Sequence, residues 1–393
     1  MRTTLFQNAL LADGSTANVL ADGGRIAAVT PADPSATADH VVECDGRLLA
    51  PSFTEGHTHL DKTFAGLPHV PHRRGVSVRE RIDAEKALRR EIPADIGTRG
   101  GALLRQMVAA GTGRVRSHVD IDPEIGLSSL HDVVALKEHF GGVVDMQIVA
   151  FPQSGIVQAP GTAELMDAAM SEGATHVGGL DPAAIDGDRE AHLDTVFSIA
   201  ERHGAGIDIH LHEGGEGGLL TLSDIAGRTK AAGLSGRVVV SHAFGLGEPH
   251  DIGPTVSALR EAGVAILTHG PGPVPMPPVM QLIEGGVTVL AGSDNVRDAW
   301  SPYGDADMLR RAMMIGYRQG MNADEEIATL FEIITRTTAE TMGFGALNIA
   351  PGAPADLVLI DAKTVVGAVA QPPPRIVVMK AGRVVAENGV YCA

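Results

Sequence analysis

The sequence predicts an α/β protein: a (β/α)8 TIM-like barrel with a small β-sandwich domain built from both termini. Three observations predict it. Eight short β-rich runs alternate with longer helical patterns through the middle of the chain, as a parallel sheet with crossover helices requires. The first and last fifty residues read instead as strands joined by tight turns. Histidines and carboxylates recur just past the ends of the central runs, on the rim where such barrels carry their functional groups. The division is residues 1–50 for the N-terminal part of the sandwich, 51–345 for the barrel and 346–393 for the C-terminal part of the sandwich.

Each element has a local reason. "TTLFQNALLAD", "ANVLADGGRIAAVT" and "HVVECDGRLLAP" are β-type runs cut by D-G and G-G turns. The barrel strands fall near 49–55, 114–119, 144–150, 175–179, 206–211, 237–241, 264–268 and 287–292. Helical stretches lie between them: Ser77 to Ala110, Asp132 to His139, Thr162 to Glu172, Asp188 to His203, Ser223 to Ala232, Thr255 to Ala262 and Asp305 to Gln319. "PGPVPMPP" (271–278) is expected to form a rigid wall or lid after the seventh strand. "ADLVLIDAKTVV" and "RIVVMKAGRVVAENGVY" return to the strand pattern.

Composition narrows the function. A chain of 393 residues fits one large domain plus an extra module. With 44% hydrophobic but only 3% aromatic residues, the core is aliphatic. A net charge of −17 repels phosphates and anionic lipid, so no nucleic acid and no membrane partner is expected. "MRTTLFQNALLADG" lacks the apolar region of a signal peptide. The longest uncharged run, Met146 to Ala163, contains Pro, Gln and Gly and cannot span a bilayer. Two cysteines make no disulfide framework. These features predict a cytoplasmic protein acting on a small molecule, with a homo-oligomer allowed.

The polar residues suggest a metal. In "PSFTEGHTHLDKTF", His57 and His59 stand one residue apart at a strand end, so both imidazoles point the same way. An H-x-H pair alone is more often a pair of partly buried histidines at a strand end. The other candidates share its rim, however: "SHVDID" (117–122), "FPQSG" (151–155), "IHLHEGGE" (209–216), "SHAFG" (241–245) and "GSDNVRDAWSPYG" (292–304). His210 offers a third nitrogen and Asp294 a carboxylate, a thiolate-free donor set that suits Zn or Fe. Asp294 could accept a proton from water activated by the metal, Glu213 could carry one to a leaving nitrogen, and His242 could hydrogen-bond the developing charge.

These segments, taken in order from "LLAPSFTEGHTHLDKT" to "GAPADLVLIDA", resemble the amidohydrolase superfamily, in its cytosine-deaminase-like branch. The resemblance covers almost the whole chain. It implies a metal-dependent barrel flanked by a β-sandwich, with His57, His59, His210 and Asp294 as metal ligands. It further implies Glu213 as proton shuttle, His242 as second base or orienter, Gln153 as reader of an amide-like ring edge, and Trp300 as a wall of the pocket. Some members bridge two metals with a carbamylated lysine on the fourth strand. This chain has no lysine between Lys137 and Lys230, which leaves one divalent ion per chain. The H-x-E and C-x-x-C deaminases are excluded by the spacing of the cysteines.

Departures from the branch bear on the substrate. Asn295 replaces an aspartate beside the metal aspartate, which predicts an extra acceptor on the substrate and poor turnover of cytosine itself. His212 replaces an acidic residue and is expected to pack in or behind the pocket. Lys62 replaces a neutral residue. Just past a strand end it is expected to be solvated, with an anion contact as the sharper alternative. His118 and Asp120 are expected behind the ligands, and His69 and His72 on a solvated loop. "RERIDAEKALRRE" reads as an exposed helix face with i,i+4 pairs. The expected reaction is hydrolytic deamination of an amino-substituted nitrogen heterocycle. The alternatives are hydrolysis of a cyclic amide or an N-alkylamino-triazine, as in N-isopropylammelide hydrolases, and a metal-bound binding protein without catalysis.

Overall fold

The computed structural model describes residues 3–72, 77–92, 94–270 and 272–393. It opens with five strands: β1 (Thr4–Leu10), β2 (Thr16–Asp22), β3 (Arg25–Pro31), β4 (His40–Glu43) and β5 (Leu48–Pro51). β1, β2 and β3 form an antiparallel meander, while β4 runs parallel to β1. The expected run at 49–55 is in fact two strands. Ser52 N–H donates to Asp356 O at 3.0 Å, whereas Phe53 N–H donates to Gly111 O at 2.9 Å. The chain therefore changes sheets between these two residues, and the barrel begins with β6 (Phe53–Thr58).

Helices and strands then alternate. The order is α1 (Val78–Arg89), α2 (Ile96–Ala109), β7 (Thr112–Asp120), α3 (Ser128–His139), β8 (Asp145–Phe151), α4 (Thr162–Ser171), β9 (His176–Leu180), α5 (Arg189–His203) and β10 (Gly206–Leu211). It continues with α6 (Gly215–Ala231), β11 (Val238–His242), α7 (Gly253–Ala262), β12 (Val264–Thr268), α8 (Val279–Glu284) and β13 (Val289–Ala291). Neighbouring strands from β6 to β13 pair in parallel and in sequence order. The predicted helix from Ser77 to Ala110 is two helices, each with its own N-cap. Ser77 accepts from Glu80 N–H and Asp95 from Thr98 N–H. Pro93, between them, lies outside the described residues, as do Arg73 and Arg74 of "GLPHVPHRR" and Pro271 of the Pro-rich loop. α6 starts well before Ser223, because its first turns are glycine-rich and carry no apolar period.

The barrel closes where its ends meet. Asp294 N–H donates to His57 O at 2.7 Å, and Thr58 pairs with Asp294 as a parallel bridge. Two glycines permit this approach. A Cβ on Gly56 would lie 2.6 Å from Ala291 O, and one on Gly292 would lie 2.6 Å from His57 N. Aliphatic residues such as Leu103, Ile148, Val196, Ile209 and Leu259 fill the space between strands and helices. Below the rim the interior is polar, and Arg116 pairs with Asp208 at 2.8 Å.

After the barrel come α9 (Met308–Gln319), α10 (Asp324–Glu332), a π-helical turn at Ile333–Thr337 and α11 (Thr338–Thr341). β14 (Leu357–Ile360), α12 (Val365–Ala370), β15 (Arg375–Lys380), β16 (Arg383–Glu387) and β17 (Val390–Tyr391) complete the chain. The last four strands join the first five in one sheet of order β17-β16-β15-β14-β5-β1-β2-β3, with β4 beside β1. Phe6, Val19, Ile26, Leu49, Leu357 and Met379 meet in one core, so this sheet folds over on itself as a sandwich does. Arg114 on β7 binds it to the barrel through Asp356, which also pairs with Lys380 at 2.8 Å. No helix among the described residues is long and apolar enough to cross a membrane.

Candidate active site

Three barrel strands bring histidines, and the segment after a fourth brings a carboxylate, to the C-terminal rim. His57 is the last residue but one of β6, and His59 lies just beyond the strand. β10 carries His210, β11 ends in His242, and Asp294 follows β13. His59 Nε2 lies 3.3 Å from Asp294 Oδ1 and 3.4 Å from His210 Nε2. His57 Nε2 lies 3.6 Å from the same carboxylate oxygen. Ligand atoms of His57, His210, His242 and Asp294 all lie within 4.8 Å of one another. His57, His59, His210, His242 and Asp294 thus form a single cluster, as the sequence predicts.

Hydrogen bonds fix how His57 is presented. Ser241 Oγ–H donates to Asp208 Oδ1 at 2.9 Å, so its oxygen can only accept from His57 Nδ1–H, also at 2.9 Å. The proton is held on Nδ1 and the Nε2 lone pair faces the cluster. The Nε2 atoms of His57 and His242 are buried without a protein partner. Burial, with the neighbouring imidazoles, holds His57, His210 and His242 well below the usual imidazole range, so they stand neutral. Burial alone would raise Asp294. His269, His242 and the hydrogen bond from His59 outweigh it and hold the carboxyl well below its usual range. Neutral imidazole nitrogens without partners beside an ionised carboxylate are the donor set a divalent cation requires, so these residues fit the implied ion. Asp181, His242 and Asp294 all have positive φ, an uncommon conformation for non-glycine residues that clusters at functional sites.

The other expected residues are placed less simply. Glu213 is half-buried, two residues before α6. Its Oε1 accepts from Ala183 N–H at 2.7 Å and Ala184 N–H at 3.0 Å, and its Oε2 accepts from Thr221 Oγ at 2.7 Å. His212 donates from Nδ1 to Asp181 at 2.8 Å and stacks on His242 at 4.5 Å. Burial would lower His212, but Asp181 outweighs it and raises the imidazole. Asn295 turns its Nδ2–H to Asp298 at 2.7 Å. Gln153 donates to Glu85 Oε2 at 3.0 Å and accepts from Lys62. Trp300 donates its indole N–H to the same Glu85 oxygen.

Three expectations are overturned. Lys62 is buried rather than solvated, with its ammonium 2.9 Å from Asp120 and 3.5 Å from Glu85. Burial would lower it, but Asp120, Glu85 and Asp61 outweigh that and keep it charged. His72 bonds to Val70 O at 2.9 Å and to Asp298 O instead of standing in solvent. The charged helix α1 is not a plain exposed face. Glu85 is turned inward, and Arg89 and Arg90 reach across to Asp122 and Glu124 rather than along the helix. Sequence reasoning missed His269, whose Nδ1 lies 3.0 Å from His242 Nδ1 and whose Nε2 lies 3.7 Å from Asp294 Oδ2. It stands one residue past a β-rich run, and that position was the signal available. His118 lies behind the cluster, stacked on His57 at 4.0 Å, whereas Asp120 pairs with Lys62 at 2.9 Å.

Over most of its length the chain is similar to known proteins. The amidohydrolase family pattern matches residues 101–386. N-isopropylammelide isopropyl amidohydrolase of Pseudomonas sp. is 28% identical over 368 residues, covering 91% of this chain and 90% of that protein. Among solved structures, N-isopropylammelide isopropylaminohydrolase from Burkholderia multivorans is 41% identical and superposes with a TM-score of 0.94, covering 100% of both chains. The 5-methylcytosine deaminase from Klebsiella pneumoniae, liganded with 5-fluorocytosine, is 26% identical with a TM-score of 0.88, covering 100% of this chain and 98% of that one.

Proposed function

The chain belongs to the amidohydrolase family, and from that premise we propose an enzyme that hydrolyses the bond between a planar, oxo-substituted nitrogen heterocycle and an exocyclic amino group. The convergence of His57, His59, His210 and Asp294 carries this reading. These four residues would hold one divalent cation, zinc or iron. Bound there, the cation supplies Lewis acidity and makes water acidic near neutral pH.

The chain's own groups then divide the work. Asp294 uses Oδ1 toward the imidazoles, which leaves Oδ2, near His269, to accept a proton from the attacking water. His242, with Nε2 free, hydrogen-bonds the oxygen added to the ring carbon. Glu213 carries a proton to the leaving nitrogen once it releases Ala183 and Ala184; His212, held by Asp181, is the alternative for that step. Gln153 and Trp300 line the pocket. Asn295 stands beside Asp294. The acidic surface and paucity of cysteine favour action in the cytoplasm on a diffusible small molecule.

The departing group in this reading is ammonia. A second reading, an alkylamine, is favoured by the 41% identity and 0.94 TM-score to an isopropylaminohydrolase. Incubating the metal-loaded protein with amino- and N-alkylamino-oxotriazines, aminopyrimidines and pterins separates the two. Ammonia supports the first and an alkylamine the second. A ring-opened acid with no amine released would assign cyclic-amide hydrolysis instead, and no product of any kind would overturn all three and leave a binding protein.

A further inference from the structure

Glu85 breaks the pattern of its helix. α1 rests on the barrel mouth through Val78 and Ile82, which pack with Phe151, Leu180, Ile185 and Trp300. Phe151 in turn stacks on His210, with ring centroids 4.1 Å apart. The helix therefore roofs the imidazole cluster at one remove. Its next inward position, one turn on from Ile82, holds a carboxylate where an apolar residue would pack better. Glu85 is buried; Gln153 and Trp300 donate to its Oε2, and the Lys62 ammonium, which sits closer to Asp120 at 2.9 Å, lies 3.5 Å from its Oε1. Lys62 follows β6, Gln153 follows β8, and Trp300 lies on the loop after β13. A cavity of about 250 Å³ lies alongside, lined by Lys62, Glu85, Leu88, Arg89 and Asp120 among others.

An ammonium, an amide N–H and an indole N–H aimed at one carboxylate make a preformed acceptor-binding seat. Buried polar residues that violate a helix's own periodicity are most economically explained by function. We propose that α1 is a lid and that Glu85 is a specificity-determining residue which occupies, in the closed protein, the seat of the substrate's oxo or oxyanion edge. The substrate class is then a planar nitrogen heterocycle with an anionic or multiply oxygenated edge opposite its amino group. Such a ligand takes over the three donors as Glu85 leaves with the helix. This rests on reading the mouth above the imidazoles as the substrate pocket.

Trp300 is the chain's only tryptophan, so its fluorescence reports on the seat directly. Barbiturate, an anionic trioxopyrimidine without an amino group to lose, serves as probe. It should change Trp300 emission saturably in the intact protein. Glu85→Ala should shift the emission without ligand and bind barbiturate at least tenfold more tightly, because the internal competitor is gone. Glu85→Gln, which keeps the shape and loses the charge, should move in the same direction, and it decides the matter if the alanine variant does not fold. Unchanged or weaker binding in the folded Glu85 variant, or no saturable binding in any form, overturns the proposal. Because this readout needs no turnover, it is separable from the amine-release test of the reaction.

Discussion

Ser241 stands between His57 and Asp208, 2.9 Å from each, and determines which imidazole nitrogen faces the cluster. Groups that orient a metal ligand in this way contribute roughly 10–100-fold to metal affinity. Ser241→Ala should weaken zinc binding by about that factor in competition with a chromophoric chelator, and Ser241→Thr should restore it. Melting of the metal-free protein separates this from general damage, since loss of a buried partner costs about 1–3 kcal/mol. Equal zinc affinity in wild type and Ser241→Ala would remove His57 from the ligand set or Ser241 from its support.

Glu213→Gln tests the proton shuttle cleanly. The amide oxygen can still accept from Ala183 and Ala184, and the amide N–H can donate to Thr221, so the local structure survives. Turnover should fall by about 10²-fold or more with bound metal unchanged. Near-normal turnover would assign Glu213 to holding the 181–184 loop and move the proton transfer to His212.

Asn295→Asp would set two carboxylates against each other, because Asn295 now donates to Asp298. Burial already pushes Asp298 up to about 6. A carboxyl raised in the folded state contributes most stability at low pH and loses it as pH rises through its folded value. The variant's deficit in melting temperature should therefore widen from about pH 4 to beyond pH 6. If it instead gains cytosine turnover with no loss of stability, Asn295 faces the ring rather than Asp298.

The two cysteines should differ sharply in reactivity. Cys44 is buried, and burial, with Glu43 and Asp45 beside it, pushes the thiol up to about 12. At pH 8 it carries almost no thiolate. Cys392 is exposed. An aromatic disulfide reagent should titrate one thiol in the native protein at pH 8 and the second only after denaturation. Two fast thiols would place Cys44 at the surface.

Barrel strands were legible because a strand buried on both faces is a short apolar run between turns, which is how β8, β11 and β12 read. The cluster of histidines and a carboxylate was legible because each member lies at or just past the end of such a run. Position along a strand failed only where two sheets share a continuous apolar stretch, at Ser52. What could not be read was tertiary placement. Helical periodicity says which face of α1 turns inward but not what it rests on, so the sequence reads Glu85 within an exposed charged face and Lys62 as solvated, although both are buried. His269 lacked a spaced partner, and its proximity to Asp294 exists only once β12 and β13 lie side by side. Asp181 gave no signal because its role is to hold His212, a contact between two loops.

Closure of the barrel by Gly56, Gly292 and the bond from Asp294 to His57 has a consequence for biogenesis. Thr58 and Asp294, the bridged pair at that seam, are separated by 236 positions in sequence. A nascent chain makes the paired histidines early and must wait for most of its length before the carboxylate arrives. Until then the first strand has no partner on its outer side, and a captured ion would find an incomplete shell. A shell made of His57, His59, His210 and Asp294 can therefore be complete only after most of the barrel has been synthesised.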